Sequence, residues 1–171
     1  MAFPELDPVI NDLVSAFMHM FTPINEVERF GFKEIRVRSA TTLQTLRDLF
    51  PRSQFLFVFR NPLSQWPSVR KMSWEQTRTL NAFLAEYQRL AAIYLDFGGI
   101  FVESASLYDK SRVRKLLDKT EFTSFDESLV GDGVYAMKNK QPLTDDETNQ
   151  IKASSAWQLY ELMKQVEAKS G

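Results

Sequence analysis

Arg60 and Ser68 are the two residues of this chain whose types and spacing best suit the binding of an anion. Arg60 directly follows the apolar run 55–59, which is typical of a strand buried on both faces. Asn61-Pro62 ends this strand and begins a helix, so Arg60 is expected in the crevice where open α/β sheets bind ligands. Its planar guanidinium suits a phosphate, and a serine hydroxyl follows at Ser68. The alternative for Arg60 is an ion pair with a carboxylate at the end of the strand.

The segments around this strand predict an alternation of strands and helices. Thr144-x-x-Glu147 fits a capping box that opens one C-terminal helix, and Gly98-Gly99 ends a long helix. Strands separated by helices favour an α/β fold, with a small parallel sheet flanked by helices. The pattern predicts strands over 31–38, 54–60 and 100–103, helices over 7–21, 41–50, 73–97, 111–117 and from 144 onward, and mostly loop over 121–143.

Composition limits the classes of function. With 171 residues, 44% of them hydrophobic, the chain can bury a substantial core, and a single domain over 1–171 is expected. The formal net charge of −1 gives no global attraction to nucleic acid or to an anionic membrane, so any anion site must be local. No apolar segment is long enough to span a bilayer, and the first residues do not resemble a secretory signal peptide. These features, with the absence of cysteine, predict a cytoplasmic protein without nucleic-acid or membrane partners.

No pattern in the sequence is typical of a metal site. The one histidine, His19, lies on an apolar helix and is interpreted as structural. The acidic run Asp145-Asp146-Glu147 fits a helix N-terminus, where the macrodipole favours carboxylates. Trp66 and Trp74 could stack on an adenine, although an aromatic residue near a helix start more often belongs to the core.

The order of motifs around Arg60 resembles that of the sulfotransferase family. Lys33-Glu34 lies on a predicted strand, Leu49-Phe50-Pro51 precedes the next one, and Arg60-Asn61-Pro62 is followed by Ser68. The likeness covers about residues 29–165 and leaves 1–28 as an N-terminal helical segment. It implies a P-loop-like α/β fold and transfer of a sulfuryl group from 3′-phosphoadenosine 5′-phosphosulfate (PAPS) to a hydroxyl or amine. By the same resemblance, Arg60 and Ser68 hold the 3′-phosphate of PAPS or of 3′-phosphoadenosine 5′-phosphate (PAP).

Lys33 and Glu34 are the candidate catalytic residues under this resemblance. Sulfuryl transfer requires a base for the acceptor proton and positive charge at the leaving oxygen. Lys33 is expected to neutralise the leaving phosphate, as a lysine on that strand does in the family, and Glu34 is a base if its side chain faces the crevice. Adjacent strand residues point to opposite faces, so at most one of them serves unless both lie at the strand's end. A salt-bridged surface pair is the alternative.

The chain departs from the family in its first cofactor motif, a Pro-x-Ser-Gly-Thr-Thr loop that cradles the 5′-phosphosulfate. The segment Ser39-Ala40-Thr41-Thr42 follows a predicted strand and opens a helix, but it lacks the glycine, so a capped helix start is preferred over a phosphate loop. The fold is therefore expected to lack the family's first strand and loop.

Loss of that strand would expose a sheet edge, which the N-terminal helix is expected to cover unless the chain forms homo-oligomers through it. The sequence leaves the small-molecule or glycan acceptor unidentified. The alternative function is a non-catalytic nucleotide-binding or scaffolding protein on the same fold.

Overall fold

The structure is a computed structural model that describes residues 37–71, 79–120, 130 and 142–169. The chain divides into two compact units, residues 1–53 and residues 54–171. Several predictions fall outside the described residues. They are the N-terminal helix, most of the strand over 31–38, residues 72–78 and most of the loop over 121–143.

In the first unit, the structure describes one helix, α1, at Ala40–Leu49. Ser39 caps it: the Ser39 hydroxyl accepts a hydrogen bond of 3.1 Å from the backbone N–H of Thr42. A serine in this position satisfies one of the amides that a helix leaves unpaired at its start. The capped helix start predicted for this segment is therefore confirmed.

In the second unit, two short strands form a parallel sheet. Strand β1 is Leu56–Phe59 and strand β2 is Ile100–Glu103, with Phe59 opposite Glu103 at the carboxyl end. A small parallel sheet among helices confirms the α/β class.

The prediction that β1 is buried on both faces is wrong. Phe57 and Phe59 are 8% and 7% exposed, whereas Leu56 and Val58 are 43% and 52% exposed. Alternate residues of a strand point to opposite faces, and only the Phe57 and Phe59 side of β1 is packed into the core. The Phe57 ring stacks on Tyr94 with centroids 4.6 Å apart. A continuous apolar run does not by itself show that both faces are covered.

Between β1 and β2, the described residues form two helices. Helix α2, Pro62–Val69, begins at the Asn61-Pro62 break, and Asn61 caps it by accepting from the Leu63 N–H at 2.8 Å. Helix α3 is Leu80–Phe97, so the prediction of one helix over 73–97 is wrong at its start: Thr79 is extended and caps α3 by accepting from the Ala82 N–H at 3.2 Å. The helix ends at Gly98 and Gly99, both with positive φ. Gly99 must lack a side chain, because a Cβ there would lie 2.7 Å from the carbonyl oxygen of Phe55. This glycine lets the chain turn closely past β1 into β2.

After β2 the chain forms a 3₁₀ helix, Ser104–Tyr108, and helix α4, Lys110–Lys119. The C-terminal region contains helices α5, Asp145–Ala153, and α6, Ser155–Lys169, where the sequence predicts one continuous helix. Ser154 causes the break: its hydroxyl donates to the Ile151 carbonyl at 2.6 Å and accepts from the Trp157 N–H at 3.3 Å. This local bonding competes with helix continuation.

The core of the second unit lies where α2, α3, α5 and α6 meet. Helices α3 and α6 pack on each other, and α6 also packs on β2. The buried cluster consists of Trp66, Phe83, Leu84, Ile151 and Ala156. Among the described residues, no helix is long and apolar enough to cross a membrane.

Candidate functional site

The carboxyl ends of β1 and β2 bring a group of polar residues to one edge of the sheet. Because the strands are parallel and Phe59 faces Glu103, the residues after β1 lie beside the end of β2. Two tyrosines reach this edge, one from α3 and one from α6. We call the group the strand-end cluster: Arg60, Asn61, Ser64, Tyr87, Glu103 and Tyr160.

The side chain of Arg60 is oriented by the first turn of α2. Its Nε donates to the hydroxyl of Ser64 at 3.2 Å, and that hydroxyl donates to the carbonyl of Asn61 at 3.0 Å. Arg60 is half-buried, and no carboxylate within the described residues forms an ion pair with it. The alternative of a strand-end arginine paired with a carboxylate is thus not found within the described part of the chain.

The backbone of Arg60 is held by Tyr87. The Tyr87 hydroxyl donates to the Arg60 carbonyl at 2.9 Å. Burial, together with the neighbouring Tyr160 and Glu103, raises the pKa of Tyr87 far above its ordinary value of 10.0. The hydroxyl of Tyr87 thus joins α3 to the backbone at the end of β1.

Tyr160 links the two strand ends. Its hydroxyl donates to Glu103 Oε1 at 2.8 Å and accepts from the Asn61 side-chain amide at 3.2 Å. Tyr160 is 3% exposed, and burial, followed by the hydrogen bond and charge of Glu103, raises its pKa above 10.0. The carboxylate of Glu103 is thereby engaged with a tyrosine and not with Arg60.

Ser68 lies one helical turn beyond Ser64 on α2. It is 6% exposed, and its hydroxyl donates to the backbone carbonyl of Ser64 at 3.3 Å. Ser64 therefore connects the two residues that the sequence predicts to bind a phosphate, since it contacts Arg60 through its hydroxyl and Ser68 through its carbonyl. Sequence reasoning missed Ser64, although its spacing of four residues from both Arg60 and Ser68 was a usable signal.

Two residues near this segment have structural roles. Trp66 is 5% exposed and belongs to the core cluster, so it is not available to stack on a base. Arg70, which would extend the positive charge after Arg60, is paired with Glu147 at 2.8 Å.

Lys33 and Glu34, the predicted catalytic pair, lie outside the described residues, as do His19 and Trp74.

The strand-end cluster contains one positively charged donor, Arg60, one carboxylate, Glu103, which accepts from Tyr160, and several neutral groups. The first backbone N–H of α2 is that of Leu63, because Pro62 has none. This N–H already donates to the Asn61 side chain, so the helix start adds little to anion binding. Within the described residues, no group of three or more His, Cys, Asp and Glu side chains is placed to hold a metal ion. The arrangement can bind an anion through Arg60.

Comparisons with known proteins give no match. Neither a family model, nor a curated protein, nor a solved structure matches this chain.

Proposed function

We propose that this chain is a sulfotransferase-like protein and that Arg60 binds the 3′-phosphate of PAPS or PAP. The observation that carries the proposal is the orientation and pairing of the Arg60 side chain. Its guanidinium is oriented by Ser64 at the carboxyl edge of a parallel sheet and has no carboxylate partner among the described residues. A half-buried arginine held in place without a counter-charge favours an anionic ligand, because charge-assisted pairing with a phosphate supplies the missing charge.

Ser64 and Ser68 have different parts in this proposal. Ser64 sets the direction of the guanidinium and lies close enough to share the ligand. The resemblance assigns Ser68 to the same phosphate, and its hydroxyl must then turn from the Ser64 carbonyl toward the ligand. Because Ser68 is 6% exposed, we expect it to contribute less than Arg60.

The resemblance also supplies the reaction. Bound PAPS would provide an activated sulfuryl group for transfer to a hydroxyl or an amine. For the chain's own residues, we propose that one of the adjacent pair acts in catalysis, either Lys33, which would neutralise the leaving phosphate, or Glu34, which would be the base. The oriented Arg60 contributes by positioning, since fixing one end of a cofactor lowers the entropic cost of aligning its other end.

The test is a comparison of two ligands by isothermal titration calorimetry. Wild-type protein is titrated with PAP and with adenosine 5′-phosphate, which lacks the 3′-phosphate. We expect PAP to bind more tightly, and Arg60→Ala to weaken PAP by about 10- to 100-fold, from the typical strength of hydrogen bonds to charged groups. Arg60→Ala should leave adenosine 5′-phosphate unaffected.

Matched variants complete the design. Arg89→Ala removes an arginine that pairs with Glu86 on the outer side of α3, and PAP affinity should not change. Ser64→Ala should weaken PAP less than Arg60→Ala does. Equal wild-type affinity for the two nucleotides, or no PAP binding at millimolar ligand, would contradict the proposal. PAP binding without turnover of PAPS on phenols, amines or glycans would favour the non-catalytic alternative.

A further inference from the structure

An open groove of about 340 Å³ runs along β2, away from β1. All four residues of β2 line it, and its walls are side chains of α4 and α6. Neighbouring strand residues point to opposite faces of a sheet. A groove that contacts four consecutive residues must therefore follow the edge of the strand, and we call it the β2 groove.

The backbone of β2 has polar groups that point into this groove. The Ile100 N–H donates to the Phe55 carbonyl at 2.9 Å, on the β1 side. In a parallel ladder, alternate residues of a strand direct their backbone N–H groups to opposite sides of that strand. The N–H groups of Phe101 and Glu103 therefore point away from β1, to the free edge of β2. Within the described residues, the sheet has two strands in the order β1-β2, and no strand occupies that edge. An edge of this kind is a template for strand addition.

Positively charged side chains outnumber carboxylates among the residues that line the β2 groove, in a chain whose net charge is −1. Arg112, Lys115, Lys119 and Lys164 line it, with the carboxylates of Glu103 and Glu167. Arg112 and Lys164 are paired with Asp109 and Glu161, each at 3.9 Å. Lys115 and Lys119 lie one turn apart on α4, and neither forms an ion pair with a described carboxylate. The groove therefore combines a row of backbone donors and acceptors with two lysines that no described carboxylate pairs.

We propose that the β2 groove binds an acidic peptide segment of a protein partner, which adds to β2 as an extended strand. Backbone hydrogen bonds along the edge give the affinity, and lysines on α4 select acidic side chains, as in other cases of strand addition. An extended backbone is favoured over a compact anion because the groove follows the strand. The proposal is independent of nucleotide binding at Arg60.

The test uses full-length protein and two labelled octapeptides in fluorescence anisotropy. One has four Glu-Val repeats, and the other has the same sequence and charge with every peptide nitrogen methylated. A methylated nitrogen has no N–H to donate, whichever residues face β2, so we expect the methylated peptide to bind at least about tenfold more weakly. Hydrogen exchange should slow at the Phe101 and Glu103 amides when the Glu-Val peptide is bound.

Charge variants test the selectivity. Lys115→Glu/Lys119→Glu should weaken the Glu-Val peptide by about tenfold, since two attractions become repulsions. Lys110→Glu reverses one charge at the start of α4, outside the groove, and should have no effect. Lys115→Gln/Lys119→Gln, which adds no repulsion, should give an intermediate loss.

Three results would overturn the proposal. They are equal affinity for the two peptides, equal loss in Lys110→Glu, and binding of a heparin oligosaccharide without binding of the Glu-Val peptide. The peptide comparison uses wild-type protein, so it decides the question even if a charge variant fails to fold.

Discussion

Glu147 joins α2 to the start of α5 through a single carboxylate. Its Oε1 accepts from Trp66 Nε1 and from Arg70 Nη1, each at 2.8 Å. Its Oε2 accepts from the Thr144 N–H at 2.9 Å, which completes the capping box. One side chain thus caps a helix and fixes that helix against a distant part of the chain.

We expect Glu147→Ala to lower the free energy of unfolding of the second unit by about 3 kcal/mol. Loss of a helix cap costs about 1 kcal/mol. The indole N–H of Trp66, which is 5% exposed, loses its acceptor, at a cost of about 1–2 kcal/mol. The partly exposed Arg70 pair adds up to about 1 kcal/mol. Glu147→Gln keeps one acceptor oxygen and should cost about half as much.

The effect should depend on pH in a defined direction. Burial raises the pKa of Glu147, but hydrogen bonds from Thr144 and Trp66 and the charge of Arg70 outweigh burial and bring it below 4.5. A carboxylate with a lowered folded pKa stabilises the protein above its unfolded value and loses this effect as pH falls through the folded value. The difference between wild type and Glu147→Gln should therefore be constant near neutral pH and shrink below pH 4.5.

Urea unfolding followed by tryptophan fluorescence measures this difference. All three tryptophans lie within 54–171, so the signal reports the second unit. The matched control is Glu161→Gln, which removes an exposed carboxylate 3.9 Å from Lys164 and should cost less than about 0.5 kcal/mol. Equal losses in Glu147→Gln and Glu161→Gln, or a difference that persists unchanged in acid, would refute the reasoning.

Two further predictions concern the sheet and its carboxyl edge. Gly99→Ala should destabilise the protein by about 2–3 kcal/mol in urea unfolding, because the added Cβ would meet the Phe55 carbonyl. Gly98→Ala should cost about 1 kcal/mol, because its Cβ would lie in open space but its φ of 75° is unfavourable for alanine. Equal costs would contradict the steric argument. Tyr160→Phe should cost about 1–2 kcal/mol, since Glu103 and Asn61 lose a partner. The free energy of unfolding of the wild type should also decrease as pH rises past 10.0, because Tyr160 ionises near this pH only in the unfolded protein. Tyr160→Phe should show a smaller decrease over the same pH range.

Local signals in the sequence predict the elements better than their packing. Asn61-Pro62, Gly98-Gly99 and the Thr144–Glu147 capping box mark element boundaries that the structure confirms, because each depends on bonds within a few residues. The break at Ser154 and the exposed face of β1 were missed. Serine within an apolar helical pattern does not reveal whether its hydroxyl will bond to the backbone, and an apolar run does not reveal which face will be covered.

The candidate site was predictable in its position but not in its connections. Arg60 was placed at the end of a strand from the apolar run that precedes it, and the structure describes it there. Tyr87, Glu103 and Tyr160 come from other elements, and their approach to the strand end depends on how α3 and α6 pack. Such contacts join residues far apart in sequence, so no local pattern indicates them.

Arg60 and Arg70 show which property of an arginine points to a ligand. Arg60 begins the stretch that resembles a cofactor motif, and Arg70 lies two residues after Ser68, the last residue of that stretch. Arg70 is paired with Glu147, and its charge is used in joining α2 to α5. Arg60 is held at its carbonyl by Tyr87 and at its Nε by Ser64, while the nearby Glu103 is engaged with Tyr160. Arg60 is oriented by neutral groups and has no carboxylate partner among the described residues, so Arg60 and not Arg70 is the residue to test first for anion binding.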